Sequence, residues 1–196
     1  MKIKFPGILK SRRRERFHLM PGTIWEVLLG YVRQDTAVPR ESKLVLSPYS
    51  INPQYEDLVL LSEMMEPLKL LTHDLLHKEV FALSHKILEA WKQLSLDEKD
   101  FLVSDFYLSF YTLLGVYEKE LFCYVCGKKE FFPKAYIVES GFLCPSCKTN
   151  YTPTEDARFL ATWMYQILMK KNILSHQEHQ KGRHLMHSHF VKTHFG

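Results

Sequence analysis

Over residues 1–66 the apolar runs are short and interrupted. Ile24–Val32, Lys43–Leu46 and Leu58–Leu61 stand between the turn formers Gly7, Pro21-Gly22, Pro39, Pro48 and Pro53. Runs broken this closely predict strands, and several together predict a small barrel or curled sheet. From about Leu68 the period becomes helical. Leu68, Leu71 and Leu75 share one face, and Val80, Leu83, Ile87, Trp91 and Leu94 continue it, with a break expected near His77-Lys78. Ser95-Leu96-Asp97-Glu98 is a capping box, in which the Ser95 hydroxyl accepts the orphan N–H of Glu98 and the Glu98 carboxylate reaches back. It opens a helix lined by Leu102, Phe106, Phe110, Leu113 and Leu114, with Gly115 as its expected end. Thr152-Pro153-Thr154-Glu155 opens another, with proline at the first helical position, and Phe159, Leu160, Trp163, Met164, Ile167 and Leu168 give it an apolar face. Beyond about Asn172 the pattern dissolves, and 176–196 is expected to be a flexible, basic, His-rich tail. No internal repeat interrupts this order.

Composition narrows the class. The chain has 196 residues, 46% hydrophobic and 13% aromatic, which excludes disorder, collagen and coiled coil. No apolar run is long enough for a membrane helix, and no apolar stretch behind the first lysines suggests a secretory signal. A net charge of +4 conceals an uneven distribution: residues 1–16 carry +6, residues 17–169 carry −6 and residues 170–196 carry +4. Basic ends around an acidic middle suggest a polyanionic partner more than a small-molecule substrate.

The sharpest chemical signal is Cys123-x2-Cys126 and Cys144-x2-Cys147, seventeen residues apart. Two such knuckles let four thiolates converge on one tetrahedral Zn²⁺ with Zn–S near ~2.3 Å. Gly127 follows the first pair where the chain turns back, Pro145 stiffens the second, and Lys128, Lys129 and Lys148 offset the charge of a tetrathiolate. Phe131-Phe132-Pro133 and Ala135–Val138 would be short strands that reverse near Ser140-Gly141. Four thiolates leave no open position, so the metal is expected to be structural. The competing readings are two disulfides or four inert thiols, which a cytosolic chain disfavours.

Other signals carry less. His73 and His77 share a helical face, but His-Asp-Leu-Leu-His lacks the general-base Glu of a zinc protease. The histidines at 176, 179, 184, 187, 189 and 194 would bind metal only loosely. Lys10, Arg12, Arg13, Arg14 and Arg16 are candidate phosphate contacts, or a solvated turn between strands. Phe5, Phe17 and Trp25 could stack on single-stranded bases or serve as core. No Gly-rich phosphate loop, Ser-His-Asp order or carboxylate pair points to an enzyme.

Phe110-Tyr-Thr-Leu-Leu-Gly-Val-Tyr117, Cys123-Tyr-Val-Cys-Gly127 and Gly141-Phe-Leu-Cys-Pro-Ser-Cys147 together resemble the C-terminal half of the bacterial recombination mediator family RecO. Glu79-Val-Phe81, Ile87-Leu88 and Trp91 are similar to that family's preceding helix, so the resemblance covers residues 79–170. Gly7–Arg13 resembles the basic segment between strands of the family's OB domain, and Leu46–Tyr49 and Leu58–Glu63 resemble its later strands. Only Met1–Pro6 stands ahead of this segment, so the barrel is expected to be shortened.

The resemblance implies a non-catalytic protein that binds single- and double-stranded DNA, anneals complementary strands and helps load RecA in the RecF pathway. Its implied partners are RecR and the C-terminal tail of single-strand-binding protein. Cys123, Cys126, Cys144 and Cys147 match the family's zinc ligands, while Lys10, Arg12, Arg13, Arg14 and Arg16 match its basic region by location and charge. The expected architecture is α+β: an OB-like β domain over 1–66, then a helical domain over 67–175 with a zinc hairpin inserted at 121–151. The expected location is cytoplasmic, with the nucleoid, and no membrane partner is expected. A zinc-stabilised adaptor that binds only protein is the second reading. A hydrolase using His73 and His77 is the third.

Overall fold

The computed structural model describes residues 2–3, 20–33, 36–49, 54–70, 77–116, 122–129, 135–138, 141–147 and 154–195. Strands β1 (Lys2–Ile3), β2 (Ile24–Arg33) and β3 (Thr36–Leu46) form one sheet in the order β1-β3-β2. β2 and β3 pair antiparallel from Ile24 opposite Leu46 to Arg33 opposite Thr36, and β1 pairs parallel with β3. Pro39 cannot donate to a ladder, and it lies opposite Leu29 where the register shifts. Among the described residues this sheet does not close into a barrel.

Leu58–Leu61, expected as strand, is instead the middle of helix α1 (Tyr55–Met65). A four-residue apolar run cannot tell strand from buried helix by periodicity. Here Leu60, Leu61 and Met64 are buried at helical spacing, and Glu56 and Asp57 suit the positive end of the helix dipole. The helical layer therefore begins well before residue 67. After a 3₁₀ turn at Pro67–Leu70, helix α2 (His77–Ala90) starts at the expected break and runs into a second 3₁₀ turn at Trp91–Gln93. Trp91 is wholly buried, and its indole N–H donates to Asp57, which also takes Lys99 Nζ at 2.8 Å.

Helix α3 (Leu96–Leu113) starts on the predicted capping box, with the Ser95 hydroxyl accepting from Glu98 N–H and the Glu98 carboxylate accepting from Ser95 N–H. It ends just before Gly115, where the Val116 N–H returns to the Tyr111 carbonyl. Val103, Phe106, Tyr107, Phe110 and Tyr111 make it the central helix of the core. Helix α4 (Glu155–Leu168) is capped by Thr154, whose hydroxyl accepts from Ala157 N–H. The cap therefore stands two residues beyond the expected Thr152.

The expected flexible tail is a helix. α5 (His176–Phe195) spans twenty residues and packs on α3 and α4 with His179, Arg183, Met186 and Phe190 buried. Those positions recur at intervals of four, three and four, the period of a helical face, with two polar residues where apolar ones are usual. Gly22, at φ +75°, ties the start of β2 to this core. A Cβ there would lie 3.0 Å from Leu88 and 3.1 Å from Leu61. Among the described residues no helix is long and apolar enough to cross a membrane.

Candidate metal centre

Cys123, Cys126, Cys144 and Cys147 come together, with all four sulfurs within 4.8 Å of one another. The first pair sits on a tight turn after α3. Gly127 N–H donates to the Cys123 carbonyl at 2.8 Å, which requires the left-handed φ of +68° that glycine adopts without strain. The second pair follows a hairpin of β4 (Tyr136–Val138) and β5 (Gly141–Leu143). β4 falls on the expected Ala135–Val138 strand, β5 was not expected as a strand, and Phe131-Phe132-Pro133 lies outside the described residues. A bridge between Cys123 and Phe142 and a bond from Tyr124 N–H to the Phe142 carbonyl lock the two knuckles in register.

The donor set fits a tetrahedral ion. Cys126 Sγ and Cys144 Sγ are 3.8 Å apart. A tetrahedron with metal–sulfur bonds near ~2.3 Å has an edge of about 3.8 Å. All four cysteines are free of disulfides, Cys123 and Cys144 buried and Cys126 exposed. The cluster polarises its own thiols. Burial pushes Cys123 up, but hydrogen bonds from Cys144, Cys126 and Val125 backbone outweigh it and hold that thiol at about 6. Side-chain bonds with Cys126 and Cys144, then burial and the Cys123 charge, push Cys147 up to about 12. Sulfurs this close share protons through hydrogen bonds, and a divalent cation is the partner that lets them ionise together.

The hairpin is part of the core. Ala135 to Val138, Phe142 and Leu143 are buried, β4 packs on α4, and Arg158 lies over the Tyr136 ring at 5.2 Å. Lys128 and Lys129 are exposed beside the knuckle.

Lys10, Arg12, Arg13, Arg14 and Arg16, like Phe5, Phe17, His73 and Lys148, lie outside the described residues. Trp25 is half-buried and lines a groove of about 740 Å³ with Met65, Leu68, Val80, Phe81 and Leu88. Among the described residues no histidine joins a cluster able to hold a metal.

A second polar centre was absent from the expectations. Arg183, 2% exposed, donates to Glu63 Oε2 from Nε at 3.0 Å and Nη2 at 2.6 Å, and from Nη1 to Asp100 Oδ1 at 2.6 Å and Ser104 Oγ at 2.9 Å. The signal that could have found α5 is Ser175-His-Gln-Glu178, a capping box like that at Ser95, with both reciprocal bonds present.

No protein-family model matches the chain, and no curated protein matches it significantly.

Proposed function

We propose that the four cysteines hold one structural Zn²⁺ and that the chain is a RecO-like, DNA-binding recombination mediator. In this reading it binds and anneals single-stranded DNA and assists RecA loading with RecR and single-strand-binding protein. The observation that supports it most is the path of the cysteine hairpin, which leaves the helical layer after α3 and returns at α4. That order of helix, knuckle pair and helix is what the resemblance rests on. Four sulfurs within 4.8 Å of one another suit Zn²⁺, which would act as a clamp with no open position for chemistry. Lys10, Arg12, Arg13, Arg14 and Arg16, which fall between β1 and β2 in the sequence, would grip phosphates.

Each phosphate neutralised releases counterions, so affinity falls with salt. With five such contacts, binding of a single-stranded oligonucleotide should weaken about a hundredfold between ~50 and ~200 mM salt. R12E/R13E/R14E should weaken it for every sequence and lower the salt slope by about two. Salt-independent or sequence-specific binding in a gel-shift titration overturns the proposal.

The groove beside Trp25 favours the second reading, a zinc-stabilised adaptor that binds only protein. Its lining is mostly apolar, with Thr23, Lys78 and Ser84 among it, and Phe81 within it is 55% exposed. Capture of RecR or single-strand-binding protein in a pull-down, with no shift of DNA, would select the adaptor.

A further inference from the structure

We propose that α5 is a pH-gated helix, docked on α3 while His179 is neutral and released when that imidazole takes up a proton. The proposal stands on the buried seam between α3 and α5 and does not depend on the function proposed above.

His179 is 1% exposed, with Nδ1 2.8 Å from Ser104 Oγ. Arg183 Nη1 also donates to that oxygen, which keeps a second lone pair and its own proton, so Nδ1 can accept from Ser104 or donate to it. In either neutral tautomer Nε2 is buried with no partner among the described residues. From α3 the ring faces Asp100 and Ser104, with Phe101 edge-on, and from α5 it faces His176, Glu178 and Arg183. Glu63 on α1 reaches the seam through Arg183.

Among the described residues no acceptor waits for a proton on Nε2. Arg183 takes Asp100 Oδ1 and His176 takes Asp100 Oδ2. The imidazolium carries an N–H on both nitrogens: Nδ1 can keep Ser104, but the Nε2 proton meets no partner among the described residues, and the charge stands beside Arg183. Burial is the first cause holding His179 below the usual imidazole range. Arg183 and His176 act with it, while Asp100 and Glu178 oppose it.

A second histidine on the helix acts the same way. His187 Nδ1 is 2.6 Å from Tyr111 Oη. Burial holds this imidazole low, aided by His184 and Lys69 and opposed by Glu66.

The sign follows from linkage. A His held low in the docked state is neutral in both states above its free value. It favours release as pH falls below that value, until the docked imidazole is itself protonated. Release would uncover Trp163, against which Gly182 packs, and Tyr111, whose ring lies 4.7 Å from that of Phe190.

Hydrogen–deuterium exchange of the full chain from about pH 7.5 to about 5, corrected for intrinsic exchange, reads this directly. Protection of α5 should fall about tenfold per pH unit below ~6.5 for each proton taken up, while α4 and the β4–β5 hairpin keep theirs. His179→Asn offers Ser104 an acceptor that does not titrate, and should make the α5 response shallower. Equal loss in α4 and α5, or an unchanged slope in the variant, overturns the proposal. Should the variant not fold, proton NMR of the wild-type His179 ring decides. Titration below the free value supports the gate, and titration at or above it removes the gate.

Discussion

Arg183 bridges two carboxylates, Glu63 on α1 and Asp100 on α3. Asp100 is 4% exposed at its side chain and Glu63 22%, so neither charge is well served by water. Burying such a triad contributes little over an apolar packing of the same shape, but removing one member strands the others. Arg183→Met should therefore cost about 3–5 kcal/mol in urea unfolding. The further changes Glu63→Gln and Asp100→Asn should restore much of it, because the stranded charges are then gone. A single variant within about 1 kcal/mol of wild type would mean that water reaches the site, as at a surface pair.

At the scale of elements, α5 depends on a close approach as much as on its charges. A Cβ at Gly182 would lie 2.2–2.4 Å from the Trp163 indole, so Gly182→Ala cannot be accommodated without moving the helix or the ring. In an exposed helix the same change stabilises by up to ~1 kcal/mol. Here overpacking should reverse the sign and cost about 1–3 kcal/mol, read by thermal unfolding together with Trp fluorescence. A stabilised variant would show that the helix stands further from Trp163. The elements that sequence exposed best were those with local signatures: the Ser95 box, the Gly115 end, and the knuckles with their hairpin. α1 was hidden because Leu58–Leu61 is too short to display a period. α5 was hidden because its inward face carries His179, Gly182 and Arg183, which a hydrophobic pattern counts as solvent-facing. The sulfur cluster was legible because cysteine spacing encodes it directly. The buried triad was not, because Glu63, Asp100 and Arg183 meet only through tertiary packing.

For the whole molecule, the cysteine cluster and α5 share one core, which takes in Cys123 and Cys144 as well as Met186 and Phe190. The metal would hold an insertion whose Ala135–Val138 and Phe142-Leu143 segments are buried, so its loss should be felt beyond the hairpin. Elemental analysis of the purified chain should find one zinc, and absence of a stoichiometric metal would refute the clamp. Chelation at neutral pH that removes even ~3 kcal/mol should lower Tm by about 6–12 °C. An unchanged Tm would make the metal dispensable to the fold. The triad has a different consequence, set by the order of synthesis. Arg183 follows Glu63 by 120 residues and Asp100 by 83. A ribosome therefore delivers both acids, and the aromatic surface of α3, well before the cation that seals them. A nascent chain stalled before residue 183 would present an acidic-rimmed apolar face, a natural ligand for a chaperone waiting at the exit tunnel.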